Sequence, residues 1–382
     1  MKIKNLIIYF LKVKKKNIKN PLPSFYNDGF VFIKLLDEFG NHGWGEPSPY
    51  ICESKKMIKS LKDLYFKNFK DKKIKEIDLE KIKKSLKNKN MQKLIVCFHH
   101  AINEIIAKSK NKNVAQLFAN NKKIKKIPMY ASGGMIFEKK DYSSLISEAV
   151  EQKEKGFFGW KFRPSFPDTN LSHTQRIKTP PPFNLKKLIR FANKLREKVG
   201  SNFNLMLDCG SRCKSIEEAI YLSDALEELN FFFLEEPLPR KLDLYKKFYK
   251  RKSKLQIASG EDIATLIDFK RWKKNKVDIF QPDTNLLTFN EIHEIEKNCK
   301  QKIIFHNWCN PINFAINVSY IMSSDKNILL ERNIISNPYQ DFFQNNSFKI
   351  NGGMIQELDC PGFGIQFNKI KNKTVTINET KI

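Results

Sequence analysis

Eight short apolar runs after Pro128, all but the first ending in a polar or charged residue, constrain this chain more than any other feature. They are Met129–Ala131, Phe158–Arg163, Leu205–Asp208, Phe231–Glu236, Gln256–Glu261, Val277–Asp283, Ile303–His306 and Ile328–Glu331. Amphipathic stretches separate them. From Asp208 on, the polar ends fall at 208, 235, 261, 283, 306 and 331, in steps of 27, 26, 22, 23 and 25 residues. One strand, one helix and two short loops fill such a step. Eight in series predict a closed parallel (β/α) barrel rather than a doubly wound sheet. The 45-residue step from Arg163 to Asp208 is the exception. It holds Pro164–Asn184, with Pro180-Pro181-Pro182, which reads as a loop extension over the strand ends.

The first 126 residues have a different texture. Ile3–Phe10 and Phe30–Asp37 read as strands, with Gly43-Trp44-Gly45-Glu46 as the exit of the second. From about Lys55 to Lys126 the pattern is helical, as in Lys93–Ile106. Strands followed by helices predict an α+β unit. His99-His100 falls inside that helical pattern and reads as structural.

Charge decides little about fold but bears on partners. The 69 Lys+Arg against 41 Asp+Glu give +28, yet only nine of the basic residues are Arg. The lysines are scattered, without the clustered Arg and interleaved aromatics of a nucleic-acid reader. They read as solvated helix faces whose field could steer an anionic substrate. Seven cysteines without a C-x-x-C pair point to a reduced, cytoplasmic chain. The longest N-terminal apolar run, Leu6–Leu11, is too short to span a membrane.

In a (β/α) barrel all strand C-termini open on one face, where catalytic groups sit. Here those ends carry Lys161 and Arg163, Asp208, Glu235, Glu261, Asp283, His306 and Glu331. Asp208, Glu235 and Glu261 end three successive strands and become neighbours. Bare carboxylates that close repel and raise one another's pKa, and a divalent cation resolves the repulsion. Oxygen-only ligands favour Mg²⁺ over Zn²⁺. Lys161 is placed to offset the remaining charge.

This ordered set resembles the mandelate racemase and muconate lactonizing enzyme branch of the enolase superfamily. The matching pieces are Gly43-Trp44-Gly45-Glu46, Lys161-Phe162-Arg163, Leu207-Asp208, Leu234-Glu235-Glu236-Pro237, Gly260-Glu261, Gln281-Pro282-Asp283, His306, Leu330-Glu331 and the tail Cys360–Ile365. The resemblance implies a (β/α)7β TIM-like barrel with an N-terminal α+β capping domain that the C-terminal tail completes. The corresponding boundaries are 1–126 for the cap, 127–345 for the barrel and 346–382 for the tail. It further implies that Asp208, Glu235 and Glu261 bind Mg²⁺, and that the metal stabilises the enediolate formed when a substrate loses the proton α to its carboxylate. Asp283 and His306 would form an Asp–His dyad, and Glu331 would hydrogen-bond the carboxylate end.

Arg163 stands where that branch usually has the second Lys of a Lys-x-Lys pair. Arginine stays protonated and is a poor general base. One-base chemistry through His306 is therefore expected: dehydration of an acid sugar to a 2-keto-3-deoxy acid. Racemisation or epimerisation of an α-substituted acid is the alternative. Candidate substrate contacts are Tyr26 in the cap loop Leu22–Asn27, His42, and His173 and Arg176 in the extension. The expected partners are a small carboxylate substrate and copies of the same chain, without nucleic acid or membrane.

Overall fold

The computed structural model describes residues 1–13, 29–119, 126–134, 142–163, 184–274, 277–308, 311–326, 328–335, 338–357, 360–369 and 375–382. Tyr26, His173, Arg176 and nearly all of the Pro164–Asn184 extension lie outside the described residues.

The N-terminal unit is an antiparallel sheet backed by helices. Strands β1 (Ile3–Val13), β2 (Phe30–Asp37) and β3 (His42–Gly45) are followed by helices α1 (Ser54–Asn68), α2 (Leu79–Ser85), α3 (Lys89–Ser109) and α4 (Ala115–Phe118). On one face Ile3, Leu6, Ile8, Val31, Ile33 and Leu35 pack with Leu61, Leu64, Phe98 and Ala101 of the helices. The other face, with Tyr9, Phe30, Phe32 and Trp44, joins a second core shared with the barrel. The segment Gly43-Trp44-Gly45, read as an exit from the second strand, is a strand in its own right, pairing Ile33 with Gly45 and Leu35 with Gly43. Its glycines are required by proximity: a Cβ at Gly43 would lie 1.9 Å from the Ala101 carbonyl oxygen, and one at Gly45 would lie 2.1 Å from that of Cys97.

All eight apolar runs become strands. They are β4 (Lys126–Ser132), β5 (Gly159–Phe162), β6 (Asn204–Asp208), β7 (Phe233–Glu235), β8 (Gln256–Ser259), β9 (Ile279–Phe280), β10 (Lys302–Phe305) and β11 (Leu329–Asn333). Each pairs in parallel with the next, and β11 pairs back onto β4 from Leu330↔Met129 to Asn333↔Ser132, closing the barrel. Between them run α5 (Tyr142–Glu154), α6 (Leu185–Val199), α7 (Ile216–Glu228), α8 (Leu242–Phe248), α9 (Leu266–Lys273), α10 (Phe289–Asn298) and α11 (Pro311–Ser323). The fold is a (β/α)7β barrel with a capping unit. No helix among the described residues is long and apolar enough to cross a membrane.

Past the barrel come β12 (Phe343–Asn345), β13 (Phe348–Asn351), β14 (Met354–Glu357), β15 (Ile365–Phe367) and β16 (Val375–Lys381). The β13–β14 hairpin adds antiparallel to the start of β4. Strand β16 returns to the cap and pairs with β1 from Val13↔Val375 to Ile7↔Lys381.

The barrel interior explains where chemistry can sit. Tyr130, Met206, Phe233, Ala258, Ile279 and Ile304 form its inner core, with Leu329 packed against them. Strand side chains alternate with period two. Two residues beyond these inner positions stand Ser132, Asp208, Glu235, Gln281, His306 and Glu331. An apolar lining that ends one step before the mouth therefore delivers polar groups into the mouth on most strands.

Candidate active site

The mouth holds a chain of buried ion pairs. Lys161, fully buried on β5, places Nζ 2.5 Å from Glu235 Oε2 and 2.7 Å from Glu331 Oε1. Gln281 Nε2 donates to the same Glu235 oxygen at 2.9 Å. Arg163 sets Nε 2.7 Å from Asp208 Oδ2. Its guanidinium lies over the Trp308 ring, with Cζ 3.6 Å from the ring centroid, and NH1 donates to Ser132 Oγ at 3.3 Å. His306 Nδ1–H donates to Asp283 Oδ2, 3.0 Å away, and its Nε2 lies 3.3 Å from Glu261 Oε2. Glu331 accepts from the Asn307 backbone N–H at 3.0 Å.

The residues predicted at the strand ends are thus brought together. Three groups escaped the sequence reading. Arg240 donates to Glu236 at 2.6 and 2.8 Å, and also to Glu261. The second glutamate of the Glu235-Glu236 pair, at φ +43°, leaves the inner-face register and takes this arginine and Ser259 as partners. Trp308 covers Arg163. No spacing rule marks these positions, because Arg240 and Trp308 lie in loops beyond the strand ends. The doublet of glutamates and the Arg four residues later was the only signal available.

A second tier fixes the dyad. Asp283 Oδ1 accepts from the Asn285 backbone N–H at 2.7 Å and from Asn313 Nδ2 at 3.3 Å. Thr284 Oγ1 lies 2.5 Å from Asn313 Oδ1 and 2.8 Å from Asn317 Oδ1, and Asn317 Nδ2 donates to the His306 carbonyl at 3.3 Å. The cap joins this tier: the Asn313 backbone N–H donates to Glu46 Oε2 at 3.2 Å.

His42 lies elsewhere. It starts β3, stands edge-on to Trp44 with centroids 5.8 Å apart, and its carbonyl accepts from Lys108 Nζ. Burial, then Lys108 and Lys34, push its imidazole down to about 3. None of these contacts ties it to the strand ends. His99 and His100 are buried between cap and barrel: His100 Nε2 lies 2.6 Å from the Thr284 carbonyl oxygen.

Electrostatics divides the carboxylates. Burial, then the neighbouring Asp208, push Glu235 up to about 8 despite Lys161. Burial also raises Glu236 to about 7 against Arg240. For Glu261, burial is outweighed by Arg240, then His306, and the group is held at about 2. Burial would lower His306, but Glu261 and Asp283 overcome it and raise the imidazole to about 10. Lys161 is raised in the same way by Glu235 and Glu331.

Among the described residues, no three His, Cys, Asp or Glu side chains converge on one point that could hold a metal ion. Asp208, Glu235 and Glu261 are each turned onto a cationic side chain instead. The donor set nevertheless fits a hard divalent cation. It is oxygen only, Asp208 and Glu235 are register partners on adjacent strands, and the repulsion from Asp208 that adds to burial in raising Glu235 is what such a cation relieves.

A family model described as enolase C-terminal domain-like matches residues 144–371. The D-gluconate/D-galactonate dehydratase of Picrophilus torridus is 29% identical over 230 residues, covering 58% of this chain and 56% of that protein. The match thus spans little more than half of the relative's length. The 3,6-anhydro-D-galactonate cycloisomerase of Zobellia galactanivorans superposes with a TM-score of 0.78 at 21% identity, covering 96% of this chain and 97% of that one. A mandelate racemase/muconate lactonizing enzyme-like protein from Roseovarius sp. TM1035 gives a TM-score of 0.80 at 18% identity, covering 97% and 94%. With the closed barrel, the cap and the ordered strand-end residues, the chain belongs to the mandelate racemase/muconate lactonizing enzyme family of the enolase superfamily.

Proposed function

We propose that this protein is a Mg²⁺-dependent acid-sugar dehydratase that removes the proton α to a carboxylate and releases a 2-keto-3-deoxy acid. The observation that carries the reading is the asymmetry of bases at the mouth. His306 is oriented by Asp283 at 3.0 Å and has a second ring nitrogen facing the carboxylates. Lys161 is locked between two glutamates, and Arg163 is tied to Asp208. One imidazole and no free partner base among the described residues suit an elimination. With Glu261, the neighbour that most raises its imidazole, engaged in holding the metal instead, His306 would take the α-proton and then return it to the departing hydroxide, which leaves as water. A racemase needs an acid and a base on opposite faces of the planar intermediate.

Asp208, Glu235 and Glu261 would hold the metal. When bound, Mg²⁺ supplies positive charge to the substrate carboxylate as the α-carbon loses its proton. Lys161 keeps Glu235 and Glu331 in place, and Arg163 stands ready to hold a substrate oxygen. The name of the Picrophilus relative supports an aldonic acid as substrate class.

The test is a screen of acid sugars, D-gluconate and D-galactonate first, for Mg²⁺-dependent 2-keto acid formation. Asp208→Asn, Glu235→Gln and Glu261→Gln should each abolish turnover with the fold retained. His306→Asn should lose both turnover and exchange of the α-proton in D₂O. Clean interconversion of two epimers with no 2-keto product from any acid sugar would show a racemase instead.

A further inference from the structure

Arg240 stands in the loop between β7 and α8, and its one guanidinium serves three carboxylates. Nε donates to both oxygens of Glu236, at 2.6 and 2.8 Å, and NH2 lies 2.6 Å from Glu236 Oε2. NH2 also pairs with Glu261 Oε1, and NH1 lies 3.5 Å from Asp262 Oδ2. Glu236 is buried and takes a further hydrogen bond from Ser259 Oγ at 3.1 Å. The arginine is thus anchored on Glu236 and reaches Glu261 from there.

Both oxygens of Glu261 are engaged, Oε1 by Arg240 and Oε2 by His306 Nε2 at 3.3 Å. Asp208, Glu235 and Glu261 do not converge on one point. To meet the other two at a single ion, Glu261 has to move, and an arginine anchored on Glu236 does not follow it. Arg240 differs here from the other cations at the mouth. Lys161 is fully enclosed between Glu235 and Glu331, and Arg163 lies over the Trp308 ring. The Arg240 side chain is 30% exposed and retains Glu236 and Asp262 when it leaves Glu261, so release costs it little.

We propose that Arg240 is a resident place-holder for the metal: it neutralises Glu261 in the metal-free protein and surrenders that carboxylate when the cation binds. The inference rests on Asp208, Glu235 and Glu261 being the metal ligands. A group that binds only the metal-free state opposes metal binding by mass action, so removing the arginine should tighten it. An arginine that merely held Glu261 in place for the metal would give the opposite sign.

Titration calorimetry of the full chain with Mg²⁺, without substrate, reads this sign directly. Arg240→Gln should bind Mg²⁺ about fivefold more tightly than the parent. Its thermal unfolding in EDTA should come at a lower temperature, because three carboxylates lose their shared counter-charge. Arg240→Lys keeps the charge but loses the planar fork that spans Glu236 and Glu261, and should tighten Mg²⁺ binding by a smaller factor. That variant carries the test if Arg240→Gln fails to fold. Weaker or unchanged Mg²⁺ affinity in Arg240→Gln would overturn the proposal. So would parent affinity in Arg240→Lys, which would reduce the effect to the charge alone. A parent chain that binds no Mg²⁺, or a Glu261→Gln variant that binds it as well as the parent, would overturn the ligand assignment itself and the proposal with it.

Discussion

At the scale of single residues, the mouth of the barrel depends on one cation that is fully enclosed. Lys161 has no exposed surface and is shared by Glu235 and Glu331. Removing one partner from a buried ion pair leaves the other charge uncompensated, which costs about 3–5 kcal/mol. Lys161→Met should lower metal-free stability at neutral pH by roughly that amount, read from urea unfolding. The double variant Lys161→Met with Glu331→Gln should recover part of the loss, because the carboxylate that stays ionised at neutral pH is gone. His100 makes a prediction with a definite sign. Burial pushes its imidazole from the ordinary 6.5 down to about 4. A depressed pKa means that the unfolded chain binds the proton first. The contribution is therefore complete above about pH 6.5 and is lost as pH falls toward about 4. At about pH 5 the loss amounts to about 2 kcal/mol. His100→Gln should flatten the stability profile between about pH 7 and 5; an unchanged slope would show that this histidine is not buried neutral.

At the scale of elements, the cap strand β3 couples to the site through its approach to α3. The carbonyls of Cys97 and Ala101 occupy the space that any side chain at Gly45 or Gly43 would need. Overpacking of a rigid contact costs about 1–3 kcal/mol. Gly45→Ala should lower the denaturation midpoint accordingly. It should also move Glu46, the next residue, away from the Asn313 N–H. Asn313 touches Asp283, so turnover in this variant should fall through the dyad, with kcat reduced more than KM rises. A variant that loses stability while keeping kcat would disconnect the cap strand from the chemistry. Helix α10 is the complementary element. Its capping box, Thr288 with Glu291, satisfies the first turn, and the same Glu291 takes Lys83 from the cap.

At the scale of the whole molecule, cap and barrel are fastened by buried polar contacts as well as by a shared apolar core. Lys83 Nζ on α2 lies 2.6 Å from Glu291 Oε2 and donates to the Leu286 carbonyl at 3.0 Å. Strand β16 ties the end of the chain to β1 over seven residue pairs. Lys83→Met should cost about 3 kcal/mol, by the argument used for Lys161. Calorimetric unfolding should show one transition for the parent and should separate into a cap step and a barrel step for that variant. A single transition shifted as a whole would mean that the apolar contacts alone couple the two units.

The eight-strand succession was readable from the chain itself, because each strand is a local apolar run and the spacing of about 25 residues leaves room only for a helix between parallel strands. The chemical identity of the strand ends was equally readable, since period-two alternation carries the residue two beyond an inner core position into the mouth. The partnerships were not. Arg240 reaching Glu236 and Glu261, Trp308 lying on Arg163, and the Thr284–Asn313–Asn317 tier under Asp283 and His306 join residues from different loops and helices. β3 needed the structure too, because four residues with two glycines carry too little β-signal to stand apart from a turn until α3 lies against them. Local pattern determined which groups line the mouth; closure of the barrel and docking of the cap decided which of them touch, because contact depends on loop paths and rotamers that only the packed chain sets.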